Sequence, residues 1–202
     1  MKLLLFSDLH ADVPAARRLA TLASDVDVLI GAGDFGNSRR HFADCLPDLL
    51  STGKPAVFVP GNSESFEELT EACGRFVNAR VLHGTQCEID GVTFFGIGGG
   101  IPVTPFGSWS YDFTEEQAAS LLKNCPPGCV LVTHSPPKGS VDVASNGKSL
   151  GSTAVRAAIE RVHPRLVVCG HIHASAGQKA QLGPTPIINA GPKGQTYDLD
   201  LP

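Results

Sequence analysis

The chain has 202 residues, of which 42% are hydrophobic and 18% charged, with a formal charge of −4. A core of that size folds without disulfides or a structural metal, and the lack of a dense lysine or arginine run argues against a protein that grips duplex nucleic acid through many phosphate contacts. A small phosphorylated substrate stays compatible, because bound metals supply positive charge locally.

The first third alternates strand and helix. Leu3 to Phe6 is an apolar run suited to a buried strand, and Pro14 opens a helix with an Ala15, Ala16, Leu19, Ala20 and Leu22 stripe. A second strand, Val26 to Ile30, ends at Gly31-Ala32-Gly33-Asp34. A helical stretch with Phe42, Leu46, Leu49 and Leu50 follows, and Pro47 should kink or split it. The third strand, Ala56 to Val59, leads into Pro60-Gly61-Asn62, and Ser65 with Glu68 forms a capping box for the next helix.

The middle is expected to be antiparallel: Val81 to Ile89, an Asp90-Gly91 turn, then Val92 to Ile97. Residues 98 to 109 carry no regular periodicity, and Glu115 to Lys123 forms a helix. Val130 to Thr133 then precedes His134, Ser152 caps a helix over Thr153 to Val162, and Leu166 to Cys169 precedes Gly170-His171. Pro186 to Ile188 and Tyr197 to Leu199 are expected as edge strands. No internal repeat or linker divides the chain, so one domain over residues 1–202 is expected.

The six cysteines contain no C-x-x-C pair and fit reduced, mostly buried thiols. The N-terminal apolar run is too short for a signal-peptide core, and no stretch approaches the length of a membrane span. The expectation is a cytoplasmic protein with no membrane partner.

Five segments carry the chemistry: Asp8-Leu9-His10, Gly33-Asp34, Gly61-Asn62-Ser63-Glu64, Thr133-His134 and Gly170-His171-Ile172-His173. Each alone is weak, since a turn aspartate or a structural histidine occurs often. Together they follow apolar strand-like runs, in an order that gathers their oxygens and imidazoles along one sheet edge, where α/β proteins bind ligands. Oxygen and nitrogen donors without a cysteine suit Mn²⁺, Fe or Zn²⁺, with Mn²⁺ favoured. Seven ligands exceed one site but suit two divalent ions sharing a carboxylate, an arrangement that clamps a phosphate and activates water.

This block order resembles the calcineurin-like metallophosphoesterases, over nearly the whole chain from Asp8 to Asn189-Ala190-Gly191. The resemblance implies an α/β fold, a four-layer αββα sandwich of two mixed sheets with the metal site at the strand C-terminal ends. It implies one metal on Asp8, His10 and His173, the other on Asn62, His134 and His171, and Asp34 bridging. It also implies catalytic roles at Asn62, Ser63 and His134. The family commonly has histidine after the Gly-Asn pair, where it assists the leaving group; here Ser63 stands, a poor proton donor at neutral pH.

The expected activity is therefore phosphate-ester hydrolysis, with a small or cyclic nucleotide-like diester as the favoured substrate. A phosphomonoesterase is the enzymatic alternative, and a metal-binding, non-catalytic scaffold of the same fold is the alternative of another class. Phe106 and Trp109 are candidates to stack on a base or aromatic leaving group, though packing of the loop accounts for them at least as well; Asn37 and Lys138 could meet substrate or phosphate, but a turn asparagine and a solvated lysine are the favoured readings. His41, His83 and His163 are expected to be structural or exposed.

Overall fold

The computed structural model describes residues 1–200. Two mixed sheets carry the chain. The first has the order β11-β1-β2-β3-β4, built from β1 (Lys2–Phe6), β2 (Val28–Gly31), β3 (Ala56–Phe58), β4 (Ala79–Val81) and β11 (Gln195–Asp198). The second has the order β5-β6-β7-β8-β10-β9, from β5 (Thr85–Ile89), β6 (Val92–Ile97), β7 (Val130–Thr133), β8 (Leu166–Cys169), β9 (Lys179–Leu182) and β10 (Thr185–Asn189). Strands β1 to β4 run parallel, as do β6, β7, β8 and β10. The antiparallel strands β11, β5 and β9 close three edges.

Successive side chains in a strand point to opposite faces, which explains why the central strands are apolar throughout. Leu3, Leu5, Val28, Ile30 and Val57 meet Phe94, Val130, Val132, Leu166 and Val168 between the sheets. The alternate residues Leu4, Phe6, Leu29 and Phe58 pack under α1 (Val13–Leu22), α2 (Leu46–Leu50) and α3 (Phe66–Cys73). On the far side, Phe95, Leu131, Val167 and Cys169 pack under α4 (Glu115–Leu121) and α5 (Thr153–Val162). Two-sided burial of this kind contributes roughly 1.5–3 kcal/mol per large apolar side chain and yields the four-layer αββα sandwich.

The caps follow the sequence. Asp12 accepts from the Ala15 N–H at 2.8 Å, Ser65 and Glu68 form a reciprocal capping box, and Ser152 accepts from the Val155 N–H at 3.1 Å. Pro47 lies in the first turn of α2 instead of interrupting a longer helix, and the preceding residues 42–44 form a separate 3-10 turn. Asp90 and Gly91 both have positive φ, 48° and 76°, as a tight hairpin turn requires.

Two expectations change. The Val81–Ile89 run is not one hairpin arm: β4 pairs with β3 in the first sheet, while β5 pairs with β6 in the second. Leu82 donates its N–H to Phe58 and Gly84 to Gly96, so the chain crosses between sheets within three residues. The Pro186–Ile188 segment is no edge either, because β10 lies between β8 and β9. Its Pro186 lacks an N–H but falls opposite Gln181 of the antiparallel neighbour, and Ile187 and Ile188 are buried on opposite faces. No helix of the described residues is long and apolar enough to cross a membrane.

Candidate metal centre

Five parallel strands deliver the site. Asp8 follows β1, Asp34 follows β2, Asn62 follows β3, His134 follows β7, and His171 with His173 follows β8. All seven residues expected from the sequence to hold metals converge at this edge. His10 Nε2 lies 3.0 Å from His173 Nε2 and 3.6 Å from Asp34 Oδ2, and His173 Nε2 lies 3.6 Å from Asp8 Oδ1. Donor atoms of Asp8, His10, Asp34 and His173 all fall within 4.8 Å of one another. A second set adjoins them: His134 Nε2 is 3.5 Å from Asp34 Oδ1 and 3.2 Å from Asn62 Oδ1, and its ring centroid is 4.9 Å from that of His171. Asp34 thus turns one oxygen to each set.

The backbone is bent to achieve this. Asp8, His10, Asp34 and His171 have φ of 56°, 47°, 57° and 67°. Left-handed conformations are uncommon for residues with a Cβ and cluster at functional sites, where the surrounding structure enforces them. Gly33, at φ 86°, is a case where a side chain is excluded outright, since a Cβ there would meet the Gly61 backbone at 2.6 Å and His134 Nδ1 at 2.7 Å.

Hydrogen bonds hold the donors. Asp8 accepts from the Ser7 hydroxyl at 2.5 Å and from the His171 N–H at 3.0 Å, and His134 Nδ1 lies 2.7 Å from the Ala32 carbonyl. That last contact fixes a proton on Nδ1, while Nε2 faces the Asn62 carbonyl oxygen at 3.2 Å, where a bound cation would take the place of the Nε2 proton.

The electrostatics fit a cation. Burial raises the Asp8 carboxyl, but the His173 imidazole, the His134 charge and the Ser7 hydroxyl outweigh it and hold it at about 2. Burial and then neighbouring His134 push His171 down to about 3. At neutral pH these two are a carboxylate and a neutral imidazole, the forms that donate lone pairs. Burial lowers His134, yet Asp34 and Asp8 reverse the sign and raise it; the two buried carboxylates draw positive charge to this point. Oxygen and imidazole donors around a shared carboxylate are what two Mn²⁺, Fe or Zn²⁺ ions would take.

Several residues that the sequence does not mark as site residues support the donors. Glu64 is fully buried and accepts from the N–H groups of Gly61 at 2.7 Å and Asp34 at 2.8 Å, tying the two loops; burial and then the Asp34 charge push it up to about 7. Asn189 donates its amide to the Gly170 and Ile172 carbonyls, both at 3.2 Å, bracketing His171. Ser110 accepts from the Asn62 amide at 3.2 Å. Glu64 sits within the Gly61-Asn62-Ser63-Glu64 block and Asn189 at the end of the family resemblance, but the sequence assigns neither a role.

His10, Asp34, Asn62, His171 and His173 line a cleft of about 850 Å³ together with Pro102, Val103, Phe106, Trp109, Leu150 and Ile172. Phe106 and Trp109 stack on each other, 5.7 Å between centroids at 12°. Ser63 and Asn37 also line the cleft. Lys138 does not reach it, because its ammonium donates to the Ser149 carbonyl at 2.6 Å. His41 pairs with Asp44, His83 packs against Phe66, Tyr111 and Phe113, and His163 ends α5.

Residues 1–175 match the family model described as calcineurin-like phosphoesterase. The chain is 31% identical over 186 residues to a UPF0046 protein of Caenorhabditis elegans, covering 82% of this chain and 62% of that protein. It is likewise 31% identical over 169 residues to the metallophosphoesterase domain-containing protein 1 of Homo sapiens, covering 81% and 48%. The chain therefore spans between about half and three-fifths of the length of these curated relatives. Among solved structures, a protein of Thermus thermophilus aligns with TM-score 0.76 at 19% identity over 98% of this chain and 99% of that one. A dimetal phosphatase from Danio rerio aligns with TM-score 0.64 at 13% identity over 94% and 86%. These structural likenesses speak to the fold. The family match covers well over half of the sequence, and the chain belongs to the calcineurin-like phosphoesterases.

Proposed function

We propose that the chain hydrolyses a small phosphodiester, cyclic or nucleotide-like, with one divalent ion held by Asp8, His10 and His173, a second by Asn62, His134 and His171, and Asp34 shared between them. The observation that carries this reading is the division of Asp34, with Oδ2 3.6 Å from His10 and Oδ1 3.5 Å from His134. Mn²⁺ is the favoured ion. Bound metals would supply Lewis-acid charge and lower the pKa of water; the protein supplies the rest. The Ser63 N–H donates to Asp34 Oδ1 at 2.8 Å and keeps that carboxylate aimed. Asn62 and His171 line the inner end of the cleft, with His134 buried behind them, and Phe106 and Trp109 offer a flat apolar wall for a base or aryl group.

Ser63 tilts the reading to diesters. A serine hydroxyl does not protonate a departing alkoxide well at neutral pH, which favours substrates whose leaving group carries its own charge. The test is turnover of bis-p-nitrophenyl and mono-p-nitrophenyl phosphate by Mn²⁺-reconstituted protein, with metal content measured in parallel. Faster diester hydrolysis is expected. Faster monoester hydrolysis would favour the phosphomonoesterase, and metal binding without turnover of either ester would favour a scaffold.

A further inference from the structure

The segment from Gly98 to Phe113 has no periodicity, yet it reaches the metal centre at one residue. Asn62 donates its side-chain amide to Ser110 Oγ at 3.2 Å, and Ser110 Oγ donates to Asp112 Oδ1 at 2.8 Å. Thr104 donates its hydroxyl to Asp112 Oδ2 at 2.6 Å and its backbone N–H to the same oxygen at 2.9 Å. The backbone doubles the link, since the Tyr111 N–H donates to the Asn62 carbonyl at 2.9 Å and the Gly100 N–H to the Tyr111 carbonyl at 3.0 Å. Gly100 leaves room for the carboxylate of Asp112; a Cβ there would also meet Thr104 at 2.9 Å.

We propose that Ser110 and Asp112, with Thr104 behind them, are positioning residues that set the direction of the Asn62 carboxamide. The argument is one of donors and acceptors. An aspartate carboxylate only accepts, so the single Ser110 proton goes to Asp112. Ser110 Oγ is left as an acceptor and takes an N–H of Asn62. The Asn62 carbonyl oxygen then turns the other way, to 3.2 Å from His134 Nε2, where it offers a lone pair to a cation. An amide flipped by 180° would aim its NH₂ there and could not ligate. The chain is half-buried, and hydrogen bonds linked in series polarise one another.

The same segment carries Phe106 and Trp109, so the wall of the cleft and the orientation of Asn62 belong to one hydrogen-bonded unit. The proposal rests on the assignment of Asn62 as a ligand made above. Its test separates the two.

In metal-free, ¹⁵N-labelled protein, the Asn62 side-chain amide is followed by NMR in the parent, Ser110→Ala, Ser110→Thr and Asp112→Asn forms. The expected result is a resolved, exchange-protected Asn62 NH₂ pair in the parent and Ser110→Thr proteins, with protection lost in Ser110→Ala and Asp112→Asn. Calorimetric titration with Mn²⁺ then reads the consequence. Loss of an outer hydrogen-bond partner typically weakens metal affinity by roughly 10–100-fold, and here one binding step should weaken that much while the other holds. Ser110→Thr should recover the parental affinity. Unchanged Asn62 protection in both Ser110→Ala and Asp112→Asn overturns the clamp, as does equal weakening of both Mn²⁺ steps. Failure of the parent to bind Mn²⁺ contradicts the ligand assignment instead, and the amide measurement still decides whether the clamp exists.

Discussion

Two pairs of side chains in the centre, His10 with His173 and His134 with Asn62, differ in exposure and in how they are anchored. On the Asp8 side, His10 and His173 reach into the cleft with side chains 30% and 61% exposed, and their closest polar neighbours are each other and the carboxylates. On the Asn62 side, His134 has no exposed side-chain surface and Asn62 is 3% exposed. Both are fixed by groups outside the centre, the Ala32 carbonyl and Ser110. An imidazole free to turn can follow an incoming ion or phosphate, whereas a locked one holds the geometry that the transition state needs without reorganising. Asp34 stands between them, with one oxygen on each side.

The first way to break this comparison is to remove one histidine from each half. His134→Ala is expected to lower turnover by at least about 10²-fold, since a metal's charge is worth several kcal/mol and each ~1.4 kcal/mol is tenfold. His173→Ala should lose less at saturating Mn²⁺, because an exposed ligand can be replaced by water. Steady-state kinetics across a Mn²⁺ series checks both. Near-parental turnover by His134→Ala at high Mn²⁺ would invert the ranking.

Ser63 lies beside the locked half and sharpens the picture more gently. Without a proton donor there, rates should depend steeply on leaving-group acidity, so aryl diesters turn over far better than alkyl ones. Ser63→His should flatten that slope, recovering part of the ~10²–10⁴-fold that general acids contribute, most for the poorest leaving groups. The comparison is a linear free-energy plot for both proteins over one ester series. A shallow parental slope would mean that another group already donates the proton.

Much of this was legible because strand and ligand share a local signature. An apolar run followed by Asp, Asn or His reports both the parallel strand and its functional end, which is why the seven singled-out residues gather at one edge and why the Ser65 and Ser152 caps and the Asp90-Gly91 turn come through. What stayed hidden depends on long-range closure. The crossing at residues 82–84 turns at Gly84, whose φ is 67°, but a single glycine does not say that β4 and β5 join different sheets. The place of β10 inside its sheet is decided by which strands it meets, and the polar, half-exposed Lys179-Ala180-Gln181-Leu182 strand that covers it gives little apolar signal. The Ser110–Asp112 clamp is composed of ordinary loop residues whose meaning appears only when they fold back onto Asn62.

The smallest expected effect lies in the loop behind the open half. Asp142 accepts from the N–H groups of Gly139 and Gly151, both at 2.9 Å, and from the Ser149 hydroxyl. Burial alone would raise its carboxyl, but these three donors hold it below its usual 3.8. A carboxyl depressed on folding stabilises fully above its unfolded pKa and loses that contribution as pH falls through the folded value. Asp142→Asn should therefore cost about 1.5–3 kcal/mol at pH 7, with the gap narrowing below about pH 4. Denaturant unfolding at both pH values measures it, and a gap independent of pH would assign the cost to packing.

The central claim is that Asp34 joins two ions, and metal stoichiometry tests it most directly. Parent, His173→Ala and Asp34→Ala proteins, reconstituted with Mn²⁺ and desalted, are compared by elemental analysis per folded chain. Near two ions in the parent, near one in His173→Ala and almost none in Asp34→Ala is the predicted series. A single ion in the parent, or one tightly held ion surviving in Asp34→Ala, contradicts the shared carboxylate.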